Sequence, residues 1–173
     1  VLGSGFETTF RFQLVQPTAR SNRHAPSFGG GLAFVVHSDR RGTFAVGCPG
    51  GGLGFRASPE PTSECAERVT RGVAVALYAD HLEIRRTDSD FASPRLATYY
   101  PSPLRVDDGR AHRVRLTFTT PAGGTLVAYL NDFDTPLLTA SLDLNASALD
   151  ADGRALAGFT ASSAAVRSLR SSE

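Results

Sequence analysis

The chain has 173 residues, 41% hydrophobic and 20% charged, with 18 basic against 17 acidic side chains for a formal charge of +1. A chain of that length can bury about two thirds of its unfolded surface without metals or cross-links, and the balanced charge offers no field for nucleic acid or anionic lipid. No apolar run approaches the roughly 20 residues of a membrane helix, and no charged stretch leads into an apolar one as in a signal peptide. There is no Met, so residues 1–173 are expected to form one domain that is a piece or module of a longer polypeptide.

Taken in chain order, the hydrophobic pattern has period two almost throughout. Phe6, Thr8, Phe10, Phe12 and Leu14 alternate with Glu7, Thr9, Arg11 and Gln13, a half-buried strand. Leu32 to His37 and Val73 to Tyr78 are continuously apolar, as central strands covered on both sides are, and so is Leu126 to Leu130. Further strands are predicted at Leu82 to Arg86 and Leu96 to Tyr100. His112, Val114, Leu116 and Phe118 alternate with Arg113, Arg115, Thr117 and Thr119, a solvated outer face. Leu138, Ala140, Leu142 and Leu144 repeat the alternation, and Ala155 to Ala161 closes the series. Asp107-Asp108-Gly109, Pro121-Ala122-Gly123-Gly124 and Asp150-Ala151-Asp152-Gly153 mark turns between strands. Eight or nine short strands joined by Gly-rich turns describe an antiparallel β-sandwich. Only Ser162 to Glu173 is helix-compatible, and the widest irregular stretches are Pro17 to Phe28 and Gly47 to Val69.

Cys48 and Cys65 flank a Gly/Pro/Ser-rich loop that a disulfide would staple, although free cytosolic thiols fit the spacing too. His24, His37, His81 and His112 stand singly, which does not suit zinc. Asn145-Ala146-Ser147 is a glycosylation sequon in a polar connection. With the cysteines it points to the secretory route and an extracellular or cell-surface protein.

Several stretches resemble, in order, the L-type (legume-type) lectin family. Phe6-Glu7-Thr8-Thr9-Phe10-Arg11-Phe12 resembles its early FxTxFxF strand, and Gly29-Gly30-Gly31-Leu32-Ala33-Phe34 its Asp-Gly-Leu-Ala-Phe. Asp39-Arg40-Arg41-Gly42 with Gly50 to Phe55 resembles DPRG…GGGLGY, Val73-Ala74-Val75 the start of VAVEFDT, and Ala157 to Ser163 VGFSAST. Asp108 to Val114 with Thr125 to Leu130 resembles the later hairpin. The resemblance implies a concanavalin A-like jelly roll, an all-β fold whose concave sheet carries sugar-binding loops. In that family a loop Asp accepts sugar hydroxyls, a Gly-rich loop offers a backbone N–H, and calcium orients an Asn.

This chain departs from the pattern at those positions. Gly30 stands where the loop Asp should be, and the metal-binding Glu and Asp fall on Ala76 and Tyr78. The long metal loop is missing, because Tyr78-Ala79-Asp80-His81 runs straight into Leu82. Calcium takes about six or more oxygens, so no metal and no cofactor is expected. The candidate ligand-binding residues are Gly30, Gly31, Gly51, Gly52, Tyr78, Asp80, His81, Ser162 and Ser163. Some have a plainer reading: Gly51 and Gly52, within Gly50 to Gly54, as turn and bulge geometry, and Asp80 and His81 as a solvated turn; His37 is expected as a satisfied surface histidine. Tyr99 and Tyr100 are expected to split between core and surface.

No catalytic residue is expected. Glycosidases of this general fold need two carboxylates about 5–10 Å apart, whereas Leu82-Glu83-Ile84 carries one alone, and there is no nucleophile elbow. The expectation is a non-catalytic carbohydrate-binding module that works without metal, its partner a glycan. The alternative is a lectin-fold module that has lost sugar binding and packs against neighbouring protein domains in an extracellular assembly. Neither involves nucleic acid or membrane insertion.

Overall fold

The structure, a computed structural model, describes residues 5–14, 30–57, 65–87, 95–100, 106–120 and 123–162. It is built from two antiparallel sheets. The strands are β1 (Phe6–Gln13), β2 (Gly31–His37), β3 (Gly72–Tyr78), β4 (Leu82–Arg86), β5 (Ala97–Tyr99), β6 (Ala111–Phe118), β7 (Gly124–Leu130), β8 (Leu138–Leu142) and β9 (Leu156–Ser162). The back sheet has the order β1-β6-β7-β8 and the front sheet β5-β4-β3-β2-β9. The chain therefore starts in the back sheet, crosses to the front for β2 to β5, returns for β6 to β8 and crosses again for β9. This is a jelly-roll sandwich.

Alternation sets which side chains meet between the sheets. Val114, Leu116 and Phe118 of β6 and Leu138, Ala140 and Leu142 of β8 face Phe34, Val75, Leu77 and Ile84 of the front sheet in one core. At roughly 25 cal/mol per Å² of apolar surface removed from water, this burial is the main stabilising contribution. His112 joins that face at 3% exposure. Its Nε2 lies 2.9 Å from Asp108 Oδ1, and its Nδ1 lies 3.1 Å from Asn131 Nδ2, so the imidazole is buried with both nitrogens partnered.

The continuously apolar runs part company. Every residue of β3 is buried, because residues 53–55 and Val69 pack over the outer face of the front sheet. Leu53, Phe55 and Val69 meet Ala33, Val35, Ala74 and Ala76 there in a second core. β7 alternates between buried and half-buried instead, which corrects the expectation that Leu126 to Leu130 is covered on both sides. Val127 and Tyr129 point outward, and the Arg115 guanidinium lies over the Tyr129 ring, 4.3 Å from its centre. Arg115 is thus half-buried against aromatic rings and not a solvated residue; its Nη2 also donates to the Phe133 carbonyl at 2.5 Å.

Leu144 lies outside the strand in which the alternation placed it. β8 ends at Leu142, and Leu144–Ser147 forms a single helical turn, α1. Asp143 Oδ1 accepts from the Asn145 N–H at 2.8 Å and the Ala146 N–H at 3.3 Å. That N-cap satisfies donors a continuing strand would have left open. Asn145 of the sequon is exposed on this turn. Ser162 ends β9 as a strand residue, and the rest of the helix-compatible tail lies outside the described residues, as does Pro17 to Phe28.

Candidate functional site

The Gly-rich loop is tied down at one end of the front sheet. Gly50 (φ +62°) and Gly54 (φ +74°) take left-handed backbone that L side chains rarely adopt, which lets the chain curl tightly over the sheet. Cys48 and Cys65 form a disulfide, Cα to Cα 5.8 Å, that closes the loop; the alternative of free thiols is set aside. The Gly50 N–H donates to Ser162 Oγ at 2.6 Å, and Tyr78 Oη donates to the Gly51 carbonyl at 3.2 Å. Gly31, at the start of β2, pairs with both Tyr78 and Ser162. A Cβ on it would fall 2.2 Å from the Leu77 carbonyl oxygen, so close backbone approach accounts for this glycine.

Tyr78, Asp80, His81, Gly31, Gly51, Gly52 and Ser162 are thus brought to one end of the sheet, as the loop reading expected. Gly30 is buried beside them. Ser163 and Gly29 lie outside the described residues. Most of these groups are spent on one another. Tyr78 is 5% exposed, and burial pushes its phenol well above the usual tyrosine range, opposed by the nearby Arg56. The Tyr78 ring is stacked on one side by His81, centroids 4.4 Å apart and nearly parallel, and lies 5.7 Å from the Arg56 guanidinium carbon. It is not a free platform for a ring.

The exposed part of the cluster lies just outside. Tyr100 is 60% exposed and stacks on the far face of His81 at 5.2 Å, while Tyr99 packs against the core, so the two tyrosines divide as expected. Asp80 has a side chain 64% exposed, with Oδ1 2.7 Å from His81 Nδ1. His81 itself is only 14% exposed. The expectation of a solvated Asp80-His81 turn therefore holds for Asp80 and fails for His81, because rings on both sides exclude water from it.

Beneath this rim sits a group the sequence reading missed. Glu83 is fully buried on the outer face of β4. Its Oε2 is 2.6 Å from Arg95 Nε and 3.9 Å from His81 Nε2, and its Oε1 is 3.2 Å from Arg85 Nε and 3.8 Å from Arg56 Nη1. Arg95 also donates from Nη1 to Tyr100 Oη at 3.0 Å. Arg56 donates from Nη2 to the Gly51 carbonyl at 2.8 Å, binding the cluster to the Gly-rich loop. The signal was present in the two-residue period: Glu83 and Arg85 share the face opposite Leu82 and Ile84. Arg56 and Arg95 arrive from elsewhere in the chain, which no local pattern discloses.

The calcium that the resemblance associates with this region does not fit these residues. Ala76 lies between Ala33 and Glu83 across the sheet and has no donor, while Tyr78 is committed to Gly51. The carboxylate buried in this region, Glu83, is ringed by three guanidiniums, which supply the positive charge a cation would bring. Among the described residues no group of three or more His, Cys, Asp or Glu gathers in metal-binding fashion.

His37 lies at the other end of the same face. Its Nδ1 accepts the Asp39 N–H at 3.2 Å, burial holds its pKa below the usual value, and it lines a cleft of about 190 Å³ with Val35, Ala45 and Leu156. It is a satisfied histidine, partly buried and bordering a groove.

The fold is similar to a peanut lectin solved with a nine-residue peptide, at a TM-score of 0.58 and 17% identity. The match covers 92% of this chain and 63% of that one, so the chain spans less than two thirds of the lectin's length. No protein-family model matches the sequence, and no curated protein matches it. The chain folds like a legume lectin.

Proposed function

We propose that this chain is a non-catalytic carbohydrate-binding module of an extracellular protein, acting without metal, with its sugar contact at Asp80, Tyr100 and Arg95. The observation that carries this reading is the Asp80 carboxylate, exposed yet held by His81, whose ring is stacked between Tyr78 and Tyr100. A lectin loop needs a fixed acceptor for paired hydroxyls and an apolar face for the ring carbons, both in place before the sugar arrives. Where Gly30 provides no carboxylate, Asp80 supplies one. Where calcium would rigidify the loop, the buried Glu83 with its three arginines and the Tyr78 to Gly51 hydrogen bond do so instead. Tyr100 presents most of its ring to solvent. The disulfide is compatible with an oxidising, extracellular setting.

A glycan array followed by calorimetric titration tests this. Binding to at least one glycan is expected, unchanged by chelator and lost by tenfold or more in Asp80→Ala and in Tyr100→Ala. Absence of binding to every glycan, or binding abolished by chelator, would sink the proposal. The alternative, an interaction module that has lost sugar binding, is favoured by a different observation: a groove of about 540 Å³ between β1 and β9, lined in part by Phe6, Phe34 and Val36, near a Phe159 that is 53% exposed.

A further inference from the structure

The outer face of the back sheet carries its charge unevenly. Alternation turns Arg11 of β1 and Arg113 and Arg115 of β6 away from the core, and Arg11 lies directly opposite Arg113 in the register. Cβ atoms of such a pair are roughly 5 Å apart, and a residue two further along the same strand is roughly 7 Å on. Three guanidiniums therefore gather on one patch of a chain whose net charge is only +1. Like charges facing each other across a sheet destabilise it, so folding alone gives no reason for the Arg11 and Arg113 pair. Among the described residues none of the three makes an ion pair. Asp132, in the neighbouring hairpin, is engaged within its own turn, where its Oδ1 accepts the Asp134 N–H at 2.9 Å.

Aromatic rings hold two of these cations in place. The guanidinium carbons of Arg113 and Arg115 lie 5.2 and 5.1 Å from the centre of the Phe133 ring, and that of Arg115 also lies 4.3 Å from the centre of Tyr129. Stacking occupies the guanidinium faces and leaves the edges, where the N–H groups lie in plane. Arg115 is half-buried, its Nε enclosed without an acceptor, so it contributes charge from behind. Arg11 and Arg113 are exposed and present the donors.

The surroundings select the occupant. Guanidinium edges take sulfate- and phosphate-type oxyanions two N–H groups at a time. Single-stranded nucleic acid needs open ring faces for its bases, whereas arginines cover Phe133 and Tyr129 here. An anionic bilayer needs projecting apolar side chains, whereas the outward positions beside the patch are Thr9, Thr117, Thr125, Thr139 and Ser141. An acidic peptide adding as a strand needs free backbone, whereas β6 is paired on both sides. Hydroxyls beside cations suit a polymer that carries both hydroxyls and oxyanions.

We propose that the outer face of the back sheet is a binding surface for sulfated polysaccharide, with Arg11 and Arg113 clasping one sulfate between them and Arg115 adding its charge. Asp80 and Tyr100 lie on the other sheet, so this site and the proposed sugar contact stand or fall separately.

Calorimetric titration of the full chain with heparin and with dextran sulfate tests this, unsulfated dextran serving as the uncharged counterpart. Binding to both sulfated polymers and none to dextran is expected, weakening as salt rises and counterions are released less favourably. Arg11→Ala and Arg113→Ala should each lower affinity by about tenfold, and Arg11→Glu with Arg113→Glu should abolish binding. Arg113→Lys keeps the charge without the fork and should fall between. Asp80→Ala and Arg40→Ala, the latter an exposed arginine elsewhere, should leave binding unchanged. Removing Arg11 relieves a repulsion, so thermal unfolding of Arg11→Ala should show a fold at least as stable as the parent. No binding to either sulfated polymer at low salt overturns the proposal. So does an equal loss in Arg40→Ala, which marks a response to net charge alone, or tighter binding to single-stranded RNA or to phosphatidylserine vesicles than to heparin.

Discussion

The strands on either side of β2 have opposite fates. β3 on one side has all seven residues buried; β9 on the other has five of seven exposed. Both sequences are built of small and apolar residues, Gly-Val-Ala-Val-Ala-Leu-Tyr against Leu-Ala-Gly-Phe-Thr-Ala-Ser. What differs is cover. β3 lies between the back sheet and the loop stapled by Cys48 and Cys65. β9 is an edge strand, its outer face beyond most of the loop and its inner face opposite β1, itself an edge. Burial in this fold is decided less by a strand's own hydrophobicity than by what the rest of the chain lays across it.

The two regions should answer mutation very differently. The largest effect is expected on the covered side, for Glu83→Ala. It leaves the Arg56 and Arg85 guanidiniums, at 6% and 2% exposure, without their carboxylate, and breaking a buried ion pair from one side costs about 3–5 kcal/mol. Urea denaturation measures it, and a loss below about 1 kcal/mol would mean that the cluster is solvated. Next comes the staple: Cys48→Ser with Cys65→Ser should lower stability by about 3 kcal/mol for a loop of this length, with a sequence separation of 17. Thermal unfolding with and without reductant on the unaltered chain gives the same comparison.

A smaller effect is expected at Asp39, which ties the β2 end to the loop before β3. Its carboxylate accepts from Arg41 Nε and Nη2 at 3.0 and 2.9 Å and from the Thr70 N–H and Oγ1 at 2.8 and 3.0 Å. The Arg41 guanidinium, with the Thr70 donors, holds this carboxyl below the ordinary carboxylate value of 3.8. Asp39→Asn should cost about 2 kcal/mol at neutral pH. Because the folded value is the depressed one, this stabilisation is complete above about pH 4 and is lost as pH falls from there through the folded value. The gap between the two proteins should therefore close in acid; a gap constant down to pH 2 would show that charge is not its source. The smallest effect belongs to the open side. Phe159→Ala, already half in water, should cost no more than about 1.5 kcal/mol, against the 3–5 kcal/mol typical of a buried Phe. A larger loss would show that the groove is closed.

Much of this arrangement was legible in the residues. All nine predicted strands are present, because period-two alternation and Gly/Asp turn clusters are local properties that survive folding. The gathering of Tyr78, Asp80, His81, the Gly-rich loop and Ser162 at one end followed from their order along resembling stretches. What escaped was the state of each group there. Tyr78 reads as an available aromatic and is sealed between His81 and Arg56. Glu83 reads as a lone carboxylate and is the centre of a buried charge cluster. Leu126 to Leu130 reads as doubly covered and has one half-open face.

By itself, then, the sequence determined the strands, their inward faces and the turns between them, since each depends on neighbours a few residues apart. Tertiary structure alone decided which strands became edges, where the stapled loop came to rest, and that Arg56 and Arg95 meet Glu83 beneath it. These are contacts between residues far apart in sequence, and no pattern along the chain encodes the third body, a loop or a sheet, that covers them.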